Sequence, residues 1–392
     1  MTRPVRVLQV VGGLGVGGAE TWLMEILRLW AKDGSGEIDF LLTGGKRDFF
    51  DDEAAALGAG LHYLPYGRAE LASFVPAYRK LLRHGRYDAI HDHADYAAGW
   101  RFLIGAGVLP PVRVAHVHNP WSHIAVNYAV GPARRFAAGV GKALVERFAT
   151  HVCGTSSAIL HKYGFEPGCL GPLSIEVVHC GIDIGKFNKP READRARILD
   201  EFGWPAHTKL VLFAGRLDRV VELAHPQNHK NSWLALNIVK EALVRDASVR
   251  LVMAGAGQSR EALQDQVCTW GLADELRLTG IRHDIPALMR AADVLLFPSA
   301  QEGLGMVAVE AQAAGLPVLA SSAVPREAVV IPELYTAMSV GEPLRTWAEA
   351  LLMIAAKQRP PLALCRSAFA HSDFFVENSA ARLLKIYGSA NP

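Results

Sequence analysis

The sequence predicts an α/β protein made of two doubly wound domains. Three observations carry this expectation. Short β-branched runs alternate with longer helical patterns, which is the rhythm of parallel sheets joined by crossover helices. The rhythm lapses in the polar stretch "DIGKFNKPREADRARILDEFGWPAH" (183–207) and then restarts. At 392 residues the chain is too long for one comfortable core, whereas two domains of ordinary size can each bury one.

In chain order, "VRVLQVV" (5–11), "IDFLLT" (38–43), "DAIHDH" (88–93) and "VRVAHVH" (112–118) read as strands of the first sheet, each bounded by Gly, Pro or polar turns. "KLVLFAG" (209–215), "VRLVMAG" (249–255), "LRLTG" (276–280), "VLLFPS" (294–299) and "PVLAS" (317–321) read as the second sheet. After "KQRPPLAL", the segment "NSAARLLKIY" (378–387) has apolar residues at helical spacing and nothing of its own to pack on. It is expected to close over the first domain. The expected limits are 1–185 for the N-terminal domain, 186–370 for the C-terminal domain and 371–392 for the returning helix.

Composition narrows the function. With 41 basic and 39 acidic residues and a formal net charge of +2, the chain lacks the basic excess of a dedicated nucleic-acid binder, so any polyanion contact must be local. Cys153, Cys169, Cys180, Cys268 and Cys365 form no Cys-x-x-Cys pair, which argues against a disulfide framework or a zinc cage and for a reducing cytoplasm. The N-terminus "MTRPVRVLQVV" runs straight into a strand, and no segment approaches the roughly 20 apolar residues of a membrane span. The segment "GPARRFAAGVGKALVERF" (131–148) sets Arg134, Arg135, Lys142 and Arg147 among apolar residues. It reads either as a peripheral contact with the inner face of an anionic membrane or as a packed helix with a solvated basic side.

Open α/β sheets bind ligands beyond the C-terminal ends of their strands, so the motifs that matter should follow strands. In "VLLFPSAQEGLGMVAVEAQAAGLPVLAS", Glu302 falls in a loop and Glu310 more than a turn inside the next helix. Gly303 and Gly305 let backbone N–H groups face an anion at that helix start. The plain alternative is a helix cap with two solvated acids. A second anion cradle, or simply a tight turn, is "VVGGLGVGGAET" (10–21), where Gly17 and Gly18 precede a helix. Its Gly13, Gly15 and Gly18 resemble a dinucleotide fingerprint, but no acid at the end of "IDFLLT" is placed to hold a ribose.

"FAGRLDRVVELAHPQNHKNSW" supplies Arg216 after a strand and Lys230 near a helix start, suited to a diphosphate unless both are ordinary solvated cations. His225 and His229 lack carboxylates at ligand spacing. The pairs His91/His93 and His116/His118 each end a strand with its own loop. A shared metal is conceivable there, but no acid pair of the kind a metal diphosphate needs is present. His118 is expected to hydrogen-bond a substrate hydroxyl, the others to be core or capping histidines.

Taken together, "GVGGAE", "AHVHNP", "VVHCGIDIGKF", "FAGRL…KN" and "TGIRHDIPALMRAADVLLFPSAQEGLGMVAVEAQAAGLPVLAS" resemble, in order and spacing, the retaining family 4 glycosyltransferases of the GT-B fold. The resemblance implies two Rossmann-like domains facing a central cleft. A nucleotide sugar, here expected to be a UDP-hexose or UDP-N-acetylhexosamine, is bound mainly by the C-terminal domain. A saccharide or lipid-linked acceptor is held mainly by the N-terminal one, in bacterial polysaccharide or glycoconjugate synthesis. No cofactor and no obligatory metal are implied, and retention by same-face attack needs no protein nucleophile.

Carried over by position, Glu310 holds the ribose hydroxyls and Glu302 those of the donor sugar. His118 lies beside the reactive carbon. The backbone of Gly303, Leu304 and Gly305 approaches the sugar and phosphates, Arg216 and Lys230 neutralise the diphosphate, the main chain near Ile281 and Arg282 meets the base, and Gly17 and Gly18 close the phosphate side. Two departures stand out. The 217–229 loop is long, which leaves the match of Lys230 open, and His179-Cys180 stands where the family often has Pro-Asn. A GT-B sugar-nucleotide epimerase or hydrolase, and a non-catalytic nucleotide-sugar-binding protein, are the rival readings.

Overall fold

The computed structural model describes residues 3–119, 124, 131–166, 168–218 and 228–389. The chain folds into two compact units, Met1–Ile182 with Asp373–Pro392, and Asp183–Ser372.

The first unit carries strands β1 (Val5–Val11), β2 (Gly36–Leu42), β3 (Leu61–Tyr63), β4 (Ala89–Asp92), β5 (Val112–Val117), β6 (His151–Gly154), β7 (Gly168–Leu170) and β8 (Leu173–Val177). They form one sheet in the order β3-β2-β1-β4-β5-β6-β8-β7, parallel throughout except for the edge strand β7, which runs antiparallel to β8. The central strands are near-continuous apolar runs because helices cover both faces. One face is packed by Phe74, Tyr78, Leu82, Phe102, Ala138 and Val145 against Leu8, Val10, Ile90, Ala115 and Val117.

The opposite face is closed by the first helix, Gly18–Asp33, and by the last, Val376–Tyr387. The chain returns to this unit through backbone bonds from Ile182 N to Phe374 O (2.8 Å) and from Val376 N to Ile182 O (3.2 Å). Trp22 Nε1 then donates to Ser379 Oγ at 2.8 Å, joining the two helices. The returning helix expected over 378–387 thus starts two residues earlier and has a buried polar anchor.

The second unit carries β9 (Lys209–Ala214), β10 (Val249–Ala254), β11 (Leu276–Gly280), β12 (Val294–Phe297), β13 (Val318–Ser321) and β14 (Tyr335–Met338), all parallel, in the order β11-β10-β9-β12-β13-β14. The polar stretch 183–207 is part of this unit. It holds the helices Ile184–Phe187 and Glu192–Phe202, with Arg191 and Arg195 both paired to Asp293 (2.7 and 3.0 Å). Each sheet reverses its winding once, between β1 and β4 and between β9 and β12, the position at which open α/β sheets bind ligands. Among the described residues, no helix is long and apolar enough to cross a membrane.

Candidate functional site

In the second unit the reversal point brings together residues from the loops after β9 and β12. Lys230 Nζ donates to Glu302 Oε1 at 2.5 Å, and the ammonium also lies 5.3 Å from the centre of the Phe297 ring. The geometry around Lys230 is fixed from below. Asp218 is buried and accepts from Lys230 N (3.0 Å), Ser232 N (2.8 Å) and Ser232 Oγ (3.1 Å), satisfying donors at the start of the helix Ser232–Leu243. Asn231, at a left-handed φ of 51°, donates through Nδ2 to Pro298 O (2.9 Å), so this turn is tied to the end of β12. The rest of the long loop, 219–227 with His225, lies outside the described residues.

Glu302 is 9% exposed. Three residues on, Gly305 caps the helix Met306–Ala313 at φ 91°, where a Cβ would also meet Val324 and Phe297 at 3.0 and 3.1 Å, so only glycine fits. Leu304 is buried, and Gly303 is half-buried beside it. Glu310 follows on the second turn, half-buried. Arg216 is exposed after Gly215 and has no partner among the described residues. Ile281, just past β11, is 58% exposed. The Arg282 side chain is spent on Asp284 (2.8 Å) and Glu201 (2.9 Å), which leaves its main chain as what it offers a ligand. Sequence reading missed Asp218 and Tyr335. The Tyr335 hydroxyl is buried, and burial together with the charge of Glu302 pushes its ionisation up.

In the first unit the two His-x-His pairs were expected to keep to separate loops. Parallel pairing of β4 with β5 instead brings them together. Gln9, His91 and Val114 are in register across β1, β4 and β5, and the i+2 alternation puts His93, His116 and His118 on the same face. The four rings stack, with His91 and His116 nearly coplanar in orientation (2°, 5.2 Å between centres) and His116 and His118 4.3 Å apart. His118 Nε2 lies 2.9 Å from His93 Nδ1, and His93 Nε2 lies 2.8 Å from Gln9 Oε1. Gln9 Nε2 lies 3.1 Å from the Tyr387 hydroxyl, which is 2.5 Å from His91 Nδ1, and His91 Nε2 is 3.1 Å from His116 Nδ1. Burial drives all four rings to the neutral form, His118 down to about 4 and the others well below the usual histidine value.

His91, His93 and His116 offer nitrogens within 4.8 Å of one another, the one such group among the described residues. Both nitrogens of His91 and of His93 are already bonded, so that donor set is spent on hydrogen bonds. The turn carrying His118 is held by Asp95, at φ 51°, which accepts from His118 N (2.8 Å), Asn119 N (3.2 Å) and Asn119 Nδ2 (3.0 Å). Burial outweighs these donors and pushes Asp95 up to about 6. The acid in "IHDHADY" was the available sign of this role.

Gly17 is the N-cap of the first helix, Gly18 its first residue. A Cβ on Gly17 would lie 2.2 Å from Glu20 Oε2, and one on Gly13 or Gly15 2.9 Å from Asp48 Oδ2. Two carboxylates therefore flank this turn, and burial with the nearby charge of Asp48 raises Glu20. Cys180 is buried and its thiol is pushed up by burial, the state of an inert core residue. On the helix Pro132–Phe148, Arg134, Arg135 and Phe136 are exposed, while Lys142 pairs with Glu146.

Comparison with known proteins adds to this geometry. Residues 16–186 match the model of glycosyltransferase family 4, and residues 208–356 match that of glycosyl transferases group 1. The chain belongs to the group 1, family 4 glycosyltransferases. Within this glycosyltransferase family, it is 28% identical over 403 residues to EpsF of Bacillus subtilis, itself a proposed glycosyltransferase, covering 97% of this chain and 96% of that protein. It is 29% identical over 324 residues to the D-inositol 3-phosphate glycosyltransferase of Mycobacterium tuberculosis, covering 78% of this glycosyltransferase and 62% of that protein. Alr3699/HepE of Anabaena, solved with UDP and glucose, shares the GT-B fold at a TM-score of 0.76 and 20% identity, over 98% of this chain and all of the other. The glycosyltransferase thus has the two Rossmann-like units that its sequence suggests.

Proposed function

We propose that this glycosyltransferase is a retaining hexosyltransferase that uses a UDP-linked hexose or N-acetylhexosamine and glycosylates a hydroxyl of a saccharide or lipid-linked acceptor. The observation that carries the reading is the Lys230–Glu302 contact at the reversal point of the second unit, followed by the Gly305 turn and Glu310. An ammonium, a buried carboxylate and a helix start in one place match the diphosphate, the sugar hydroxyls and the ribose of one elongated ligand. The names of relatives agree with this, since HepE was solved with UDP and glucose and a relative is named for transfer to inositol 3-phosphate.

In this mechanism the acceptor oxygen forms a bond to the anomeric carbon on the face that the diphosphate leaves, and an oxygen of the departing diphosphate takes the acceptor proton. Arg216 and Lys230 stabilise the charge that grows on the leaving group, the larger share of catalysis in such a site. Glu302 grips the donor sugar and Glu310 the ribose, with Gly303, Leu304 and Gly305 supplying backbone contact. The main chain at Ile281 and Arg282 meets the base. His118 contacts the sugar or acceptor hydroxyl, and Gly17 and Gly18 approach the phosphates. The chemistry requires no metal.

The test is to incubate the protein with a panel of sugar nucleotides, with and without candidate acceptors, and to follow UDP release and the anomeric configuration of the product by NMR. Acceptor-dependent release with retained configuration is expected. Release without any acceptor would favour a hydrolase or epimerase, and binding without release a non-catalytic sugar-nucleotide binder.

A further inference from the structure

The hydrogen bonds behind His118 form one connected line whose proton order is set by the side-chain amide of Gln9. All four rings are neutral, so each carries one N–H and one lone pair. Such a line has only two consistent orders, and they differ by a flip of the Gln9 amide. The Gln9 amide chooses between them. Its Nε2 faces the Tyr387 hydroxyl at 3.1 Å and its Oε1 faces His93 Nε2 at 2.8 Å. His116 therefore carries its proton on Nε2 and accepts at Nδ1 from His91 Nε2–H. His91 in turn accepts at Nδ1 from the Tyr387 hydroxyl, whose oxygen accepts from Gln9 Nε2. The Gln9 carbonyl is then left to accept from His93 Nε2–H, and His93 Nδ1 accepts from His118 Nε2–H.

We infer that Gln9 of β1 and Tyr387 of the last helix are positioning residues that hold His118 in the Nε2–H tautomer, so that it presents a lone pair at Nδ1 and accepts a hydrogen bond from a ligand hydroxyl. Nδ1 has no partner among the described residues. A group that only accepts selects a hydroxyl as its donor and rejects a carbonyl or carboxylate oxygen at the same place. Trp22 sets its edge against His93 and His116 (6.2 and 5.6 Å between centres), and its N–H is bound to Ser379, so the first and last helices together shield the line from water. The inference deepens the proposed role of His118 beside the transferred sugar and rests on that role.

The test uses the full chain with ¹⁵N-labelled histidine. Long-range ¹H–¹⁵N correlation at pH 7.5 distinguishes protonated from unprotonated ring nitrogens, and the His118→Gln spectrum assigns the signal. The parent should show His118 as the Nε2–H form alone. Gln9→Met and Tyr387→Phe, each checked for folding by circular dichroism, should introduce the Nδ1–H form, whereas Gln9→Glu, whose side chain accepts only, should keep the parental form. In transfer assays Gln9→Met should lose about tenfold or more in turnover at unchanged UDP affinity. A parental His118 in the Nδ1–H form, or one unmoved by both Gln9→Met and Tyr387→Phe, overturns the inference, and the parent spectrum decides even where a variant does not fold. An absence of transfer by the parent with every donor would overturn the functional proposal while leaving the tautomer result standing.

Discussion

Lys230 and Glu302 hold each other, and this sets what single substitutions do. Lys230→Met leaves a carboxylate only 9% exposed without its cation. Because Lys230 itself stays partly solvated, a loss of about 1–3 kcal/mol is expected rather than the larger cost of a deeply buried pair. Adding Glu302→Gln should restore much of that stability while removing transfer. Urea denaturation of both single variants and the double one measures it, and strictly additive losses would contradict the coupling. His118 and His116 should separate in a different way. His118→Ala is expected to keep UDP affinity and to lower transfer by about 10²-fold. His116→Ala, a fully buried ring among three others, is expected to lower the melting temperature first. Parental transfer by His118→Ala would remove that residue from the reaction.

At the scale of elements, most strands were legible, because apolar β-branched runs between Gly, Pro and polar turns have few other uses. The Glu302 loop and Glu310 helix were legible for the same reason. Short edge strands were not: β7 has three residues and its antiparallel pairing depends on β8 alone. The helix Leu362–Ala370 was not legible either, since "RPPLALCRSAFA" shows no sharp apolar stripe. The histidine line was half legible. Each pair could be seen in the sequence, but their meeting depends on β4 lying beside β5, and Gln9 and Tyr387 sit 378 positions apart. The last helix invites a test of its own. Ser379→Val removes the acceptor of the buried Trp22 N–H and should cost about 1–3 kcal/mol in a melting experiment, and an unchanged melting temperature would show that this bond does not anchor the helix. On the helix Pro132–Phe148, reversing Arg134 and Arg135 to Glu should reduce sedimentation with anionic vesicles if the basic turn meets a membrane. Equal sedimentation of parent and variant would assign those arginines to solvent.

For the whole molecule, the buried histidines predict the response to pH. Their folded-state values lie below the usual histidine value near 6.5, so the unfolded chain binds more protons as the medium is acidified. Their contribution to stability is complete above that value and is lost as pH falls toward about 4, where His118 titrates. Each ring adds up to about 1.4 kcal/mol per pH unit in that window, so four make a steep decline. Asp95 has the opposite sign: raised to about 6, it favours the fold at low pH and loses that effect as pH rises through 6. Asp95→Asn should therefore deepen the acid loss relative to neutral pH, as melting curves from pH 4.5 to 7.5 would record, and a flat profile in the parent would contradict neutral buried rings. The central claim is that the second unit grips a uridine nucleotide through Glu310. It is tested most directly by calorimetric titration of UDP into the parent and into folded Glu310→Ala. The account predicts binding by the parent and a loss of about 1.5–3 kcal/mol, roughly 10- to 160-fold in Kd, in the variant. No binding by the parent, or equal affinity in both proteins, would contradict it.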